Sequence, residues 1–139
     1  MPEQEILLDY SVEIDREKTR QWYARAGEWE CQCGDCRNFV TLAKGQQLPG
    51  YVLEILAWLS IPPEKATYVC HLTGDGERHL YQFSYRIAGR ILREPHCERI
   101  PDGRCCHEPY PYGAPDFPQP HFDVEFYASL PWILAEPRE

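Results

Sequence analysis

Missing from this chain is any run of apolar residues approaching the roughly 20 needed to span a bilayer, which argues against a transmembrane helix. The N-terminus, Met1-Pro2-Glu3-Gln4-Glu5, is acidic where a secretory leader needs a basic stretch followed by an apolar one. A soluble, cytoplasmic protein is therefore expected. Lys and Arg form no cluster, and the formal net charge is −8. Nucleic-acid phosphates and anionic membrane surfaces would be repelled, so neither is an expected partner. Also absent are a Walker loop, a dinucleotide fingerprint and the H-E-x-x-H zinc motif. Gly74-Asp75-Gly76 is a turn signal without the helix that phosphate binding requires. No internal repeat or linker divides the chain, and 139 residues suit one domain spanning 1–139.

Core material is sufficient: 43% of residues are hydrophobic and 13% aromatic, which excludes a disordered chain. Residues Ile6 to Ile14 alternate, with Ile6, Leu8, Tyr10, Val12 and Ile14 on one side, predicting a strand with one buried face. Asp15 is an N-cap residue type and Gly27 a stop, with Thr19, Trp22, Tyr23 and Ala26 at helical spacing between them. A second helix is expected from Asp35 to Gly45, and a third opening at Leu48-Pro49 and ending before Pro62-Pro63. In the third, Val52, Ile55, Leu56 and Leu59 form the core stripe, widened by Trp58. The period then changes to two. Thr67–Leu72, His79–Ile87 and Phe122–Leu130 read as strands, with a bulge or bend at Gly89 before Arg90 to Leu92. The expected fold is α+β in two layers: a mainly antiparallel sheet of about four strands, three helices on one face, order β-α-α-α-β-β-β. The acidic residues Asp9, Glu13, Asp123 and Glu125 are expected on a solvated face.

Seven cysteines, an odd number, and no secretory leader point to thiols in a reducing compartment. Cys31, Cys33 and Cys36 form C-x-C-x-x-C leading into the second helix, with Gly34 expected to permit a tight turn. Three thiolates there would supply all but one of the four N/S ligands that zinc prefers. Cys106 or His107 is the expected fourth, because a long loop can fold back; Cys70-His71 is another source. Three other readings stand beside zinc. Cys33 and Cys36 at a helix N-terminus could act as a redox pair, although no buried strand runs into the motif and Asp35 opposes thiolate formation. An iron–sulfur cluster would need four thiolates. Cys36, on its helix's apolar stripe, and Cys70, beside Tyr68 and Leu72, could simply be small core residues.

From Glu94 to Gln119 there is no periodicity, and prolines are interleaved with Tyr110, Tyr112 and Phe117. A stretch of this length inside a domain reads as an ordered, functional loop. Cys106 with His107 is the first nucleophile–base pair to consider if the chain is an enzyme. A small pocket of Tyr110, Tyr112 and Phe117, with Arg86 or His107 supplying polarity, is the corresponding binding site. The plainer alternative is that these tyrosines cover a sheet edge.

The segment Cys31-Gln32-Cys33-Gly34-Asp35-Cys36-Arg37-Asn38-Phe39, the pair Leu48-Pro49, the loop Cys105 to Gly113 and Leu130-Pro131-Trp132 together resemble a family of small uncharacterised bacterial proteins. That resemblance implies a single unit with an ordered loop and no particular activity. The functional expectation is a small binding or interaction domain for a protein or small molecule, with zinc at the cysteine cluster. The alternative is a small thiol- or metal-dependent enzyme using the cluster and the Cys105 to Tyr112 loop.

Overall fold

The alternation from Ile6 to Ile14 belongs to two strands rather than one. In the computed structural model, which describes residues 2–75, 77–95, 103–107 and 114–137, β1 (Glu3–Leu7) and β2 (Tyr10–Ile14) form an antiparallel hairpin with Leu7 opposite Tyr10. Leu8 and Asp9 between them take φ of 51° and 69°, as a two-residue hairpin turn with both central residues left-handed requires. Cross-strand partners share a face, so the turn reverses which positions are buried: Leu7 is 2% exposed and Ile6 66%. No Asn-Gly or Asp-Gly marks this turn, so the alternation alone reads straight through it.

Three helices follow. Asp15 caps α1 (Arg16–Arg25) by accepting a hydrogen bond from the Lys18 N–H at 3.0 Å, and the helix stops two residues short of Gly27. The N-cap of α2 (Gly34–Lys44) is Cys33, not Asp35. Pro49 immediately precedes α3 (Gly50–Leu59), which closes on Ser60 in the left-handed region. Trp58 does not widen the core stripe; it is 39% exposed, with the Arg16 guanidinium 4.1 Å above its ring. No helix among the described residues is long and apolar enough to cross a membrane.

The remaining strands are β3 (Tyr68–Asp75), β4 (Arg78–Arg93), β5 (Gly103–Cys106) and β6 (His121–Pro131). The class is α+β as expected, but the antiparallel sheet has six strands rather than four, in the order β1-β2-β4-β6-β5, with β3 also on β4. β4 is its spine. Its first part pairs with β3 and its last part with β2, and Gly89 stands at the change of partner with φ 145°. A Cβ at Gly89 would lie 1.8 Å from the Glu13 carbonyl oxygen, so only glycine lets β2 approach there.

Tyr81, Phe83, Tyr85 and Ile87 on β4 and Phe122, Val124, Phe126 and Leu130 on β6 form the buried face beneath the helices. Phe39 of α2 meets Phe83 at 4.9 Å, and Tyr51 of α3 meets Phe126 at 6.1 Å between ring centroids. Each such side chain contributes roughly 1.5–3 kcal/mol on burial. The opposite face is not the solvated surface expected of Asp123 and Glu125, which are 2% and 1% exposed. Asp123 accepts from Arg86 Nε at 2.9 Å, and Glu125 from Arg104 Nε at 2.7 Å and from Gln82. Paired guanidinium groups are what make these buried carboxylates tolerable. On β3 the core side is likewise the reverse of that expected: Val69 is buried, whereas Leu72 is exposed and Cys70 lies between.

α2 is fastened by the buried carboxamide of Asn38. Its Nδ2 donates to the Pro131 carbonyl at 3.0 Å, and its Oδ1 accepts from the Ile133 N–H at 2.8 Å. The Tyr81 hydroxyl donates to the Asp35 carbonyl at 2.8 Å. Through these bonds the first turn of α2 is set over the start of β4 and the end of β6.

Gly89→Ala should cost on the order of 3 kcal/mol or more, from the left-handed φ and the backbone clash together. Gly27→Ala, with nothing within 4 Å of the added Cβ, should stay within about 0.5 kcal/mol. Urea denaturation of both variants checks the contrast.

Candidate functional site

Between α1 and α2 the chain runs irregularly from Ala26 to Cys33. It is held to the body by Trp29, whose N–H donates to the Glu64 carbonyl at 3.2 Å and whose ring meets Tyr68 at 6.4 Å. This tether brings Cys31 back to the start of α2. Cys33 caps that helix through sulfur: the Cys36 N–H donates to Cys33 Sγ at 3.4 Å. Cys36 occupies the first turn on the core side and is buried, while Cys31 and Cys33 are exposed. Gly34 supplies no special turn. It is the first residue of α2, and a Cβ there would meet only the Trp132 ring at an ordinary 3.6 Å.

The three sulfurs converge. Their Sγ atoms all lie within 4.8 Å of one another, and Cys31 and Cys33 are 3.4 Å apart. A tetrahedral zinc with Zn–S bonds of about 2.3 Å separates its sulfurs by about 3.8 Å, so the trio could hold a metal with little movement. Among the described residues no further Cys, His, Asp or Glu joins the group.

The expected fourth ligands lie elsewhere. Cys106 is in β5, beyond β6, opposite Asp123, whereas the trio's helix is fastened at Pro131 and Ile133. Eight residues of strand separate those two points, roughly 26 Å at about 3.3 Å per residue. The segment expected to fold back to the cluster is committed instead, over Gly103–Cys106, to pairing with β6, and His107, which follows Cys106, is exposed. Cys105 is buried, with its sulfur 3.8 Å from the Leu7 carbonyl.

Of the expected binding pocket, Phe117 and Arg86 lie among the described residues. Phe117 is buried among Trp22 at 4.9 Å, Tyr23 at 6.2 Å and His121 at 5.8 Å. Arg86 is buried in its ion pair with Asp123. Both side chains are buried. Tyr110 and Tyr112 lie outside the described residues.

Local electrostatics divide the three thiols. The Cys31 pKa is lowered, chiefly by a backbone hydrogen bond from Cys33 and then by its bonds with the neighbouring thiols; burial and the Asp35 carboxylate oppose this. Cys36 is pushed strongly upward, first by burial, although the Trp29 indole N–H donates to its sulfur at 3.1 Å. That indole bond was not legible from sequence, although Trp29 stands only two residues before Cys31.

Beside the trio lies a groove of about 540 Å³ lined by Trp22, Trp29, Gly27, Ala66, Pro115 and Cys31, with Arg25, Lys65, Glu28 and Glu30 among its charged residues. Lys65 Nζ donates to the Tyr23 carbonyl at 2.7 Å, and Glu28 pairs with Lys44 at 2.8 Å. Away from this groove, His71 and His79 form a pair with ring nitrogens 2.9 Å apart against Tyr81 and Trp132.

No protein-family model, curated protein or solved structure matches this chain.

In the metal-free native protein, iodoacetamide should modify Cys31 and Cys33 first and spare Cys36 and Cys105 until the chain unfolds. Because the Cys31 pKa is lowered, its rate should rise with pH through a midpoint below that of the same thiol in the unfolded chain. Peptide mapping after timed alkylation gives the order.

Proposed function

We propose that this chain is a small metal-binding domain whose Cys31, Cys33 and Cys36 thiolates hold one zinc ion and leave its fourth position open to an exchangeable ligand. The observation that carries this reading is the convergence of three sulfurs within 4.8 Å, two of them exposed, at a helix start fastened to the sheet. Among the described residues no fourth Cys, His, Asp or Glu joins the three cysteines; closed structural zinc sites take four protein ligands, whereas sites with three keep an open position. Bound zinc would also offset the cost of a thiolate at the buried Cys36, and the Trp29 N–H would orient that ligand from outside the metal shell.

A thiol enzyme is the second reading, and Cys31 favours it: an exposed thiol with a lowered pKa is the form in which cysteine reacts. The raised pKa of Cys36 does not support a thioredoxin-like pair with Cys33. Metal content decides between the two readings.

Protein purified without a metal-chelating tag should carry about one zinc per chain by elemental analysis. Cys33→Ser and Cys36→Ser should lose it, while Cys106→Ser should keep it. Affinity should fall as pH falls, because zinc must displace thiol protons, by up to about tenfold per pH unit for each proton released. Wild-type protein that stays metal-free after zinc loading, with a fast-reacting Cys31, would leave the thiol reading in its place.

A further inference from the structure

Two features mark the groove beside the cluster. It is lined by two indoles, Trp22 and Trp29, and it reaches the metal-binding trio at Cys31. At about 540 Å³ it falls within the range of small-molecule sites. One indole is rigid: Trp22 is buried against Tyr23 and Phe117, and its Nε1 donates to the Pro115 carbonyl at 3.1 Å. The other belongs to both features, since Trp29 lines the groove and donates its indole N–H to Cys36 Sγ. The charged lining residues balance, Arg25 and Lys65 against Glu28 and Glu30. The groove therefore offers indole surface without a net charge.

We propose that this groove is the seat of the exchangeable fourth ligand: a small molecule with a flat apolar or aromatic body beside Trp22 and Trp29 and a terminal thiolate that bonds the metal next to Cys31. This rests on the zinc reading above and adds the chemical class of the ligand. The thiol's S–H bond breaks and its proton passes to solvent, the resulting thiolate donates an electron pair to the ion, and the water it displaces leaves, with no change of oxidation state.

The test uses the full chain loaded with cobalt(II), which reports its ligands through visible absorption. The loaded protein is titrated with phenylmethanethiol and with 2-mercaptoethanol, a thiol of similar acidity lacking the ring. The aromatic thiol should bind at least about tenfold more tightly, and tryptophan fluorescence should change at the same concentrations. Gly27→Phe places a ring in the groove from a position whose Cβ has no neighbour within 4 Å; it should bind cobalt as the wild type does but lose the preference. Equal affinity for the two thiols, a preference that survives in Gly27→Phe, or removal of the ion by either thiol overturns the groove proposal while leaving the metal site intact. Failure of the wild type to take up cobalt overturns both.

Discussion

A single buried carboxamide determines where the cluster sits. Asn38 projects from the first turns of α2 into the space between β4 and the end of β6, where water cannot satisfy it. Its two ends are used instead on the Pro131 carbonyl and the Ile133 N–H. A buried amide left unpartnered would cost about 1–3 kcal/mol. The bonds therefore specify the placement of the helix as well as stabilise it, since sliding α2 by one turn would break both. With Tyr81 holding the Asp35 carbonyl, Cys33 and Cys36 have fixed positions before any metal arrives. Only Cys31 depends on the irregular chain before the helix, and Trp29 tethers that chain.

The sulfur cap follows from the same placement. A helix start leaves N–H groups unsatisfied, and Ser, Thr, Asp or Asn normally supplies the acceptor. Here Cys33 does so, which is why the choice of Asp35 by residue type misplaced the start of α2 by two residues. The sulfur atom thus has two claims on it, a weak one from the Cys36 N–H and a potential one from a metal. The buried Cys36 accepts a hydrogen bond from the Trp29 indole, which lies outside the cysteine trio, so the aromatic residue is part of the cluster's chemistry as well as its packing.

Much of this was legible in the residues themselves, and the rest was hidden for identifiable reasons. The helices, the strands β3, β4 and β6 and the three convergent cysteines follow from periodicity and spacing, because each is a local property. The β1–β2 hairpin was hidden because Leu8 and Asp9 adopt a left-handed turn that their residue types do not announce. β5 was hidden because four residues, Gly103 to Cys106, are too few to show a period and are strands only by virtue of β6. The burial of Asp123 and Glu125 was hidden because it depends on Arg86 and Arg104, one on a neighbouring strand and one on β5. The same pairing places Cys106 and His107 far from the trio. A fourth ligand drawn from them was a plausible use of loose chain, and strand pairing removes the looseness.

The central claim is a count of sulfurs around a metal, and X-ray absorption at the zinc edge of the loaded, full-length protein measures it. The account predicts three sulfurs at about 2.3 Å and one lighter nitrogen or oxygen neighbour at about 2.0–2.2 Å. With no small-molecule thiol present during loading, a shell of four sulfurs, or a shell of nitrogen and oxygen alone, contradicts it.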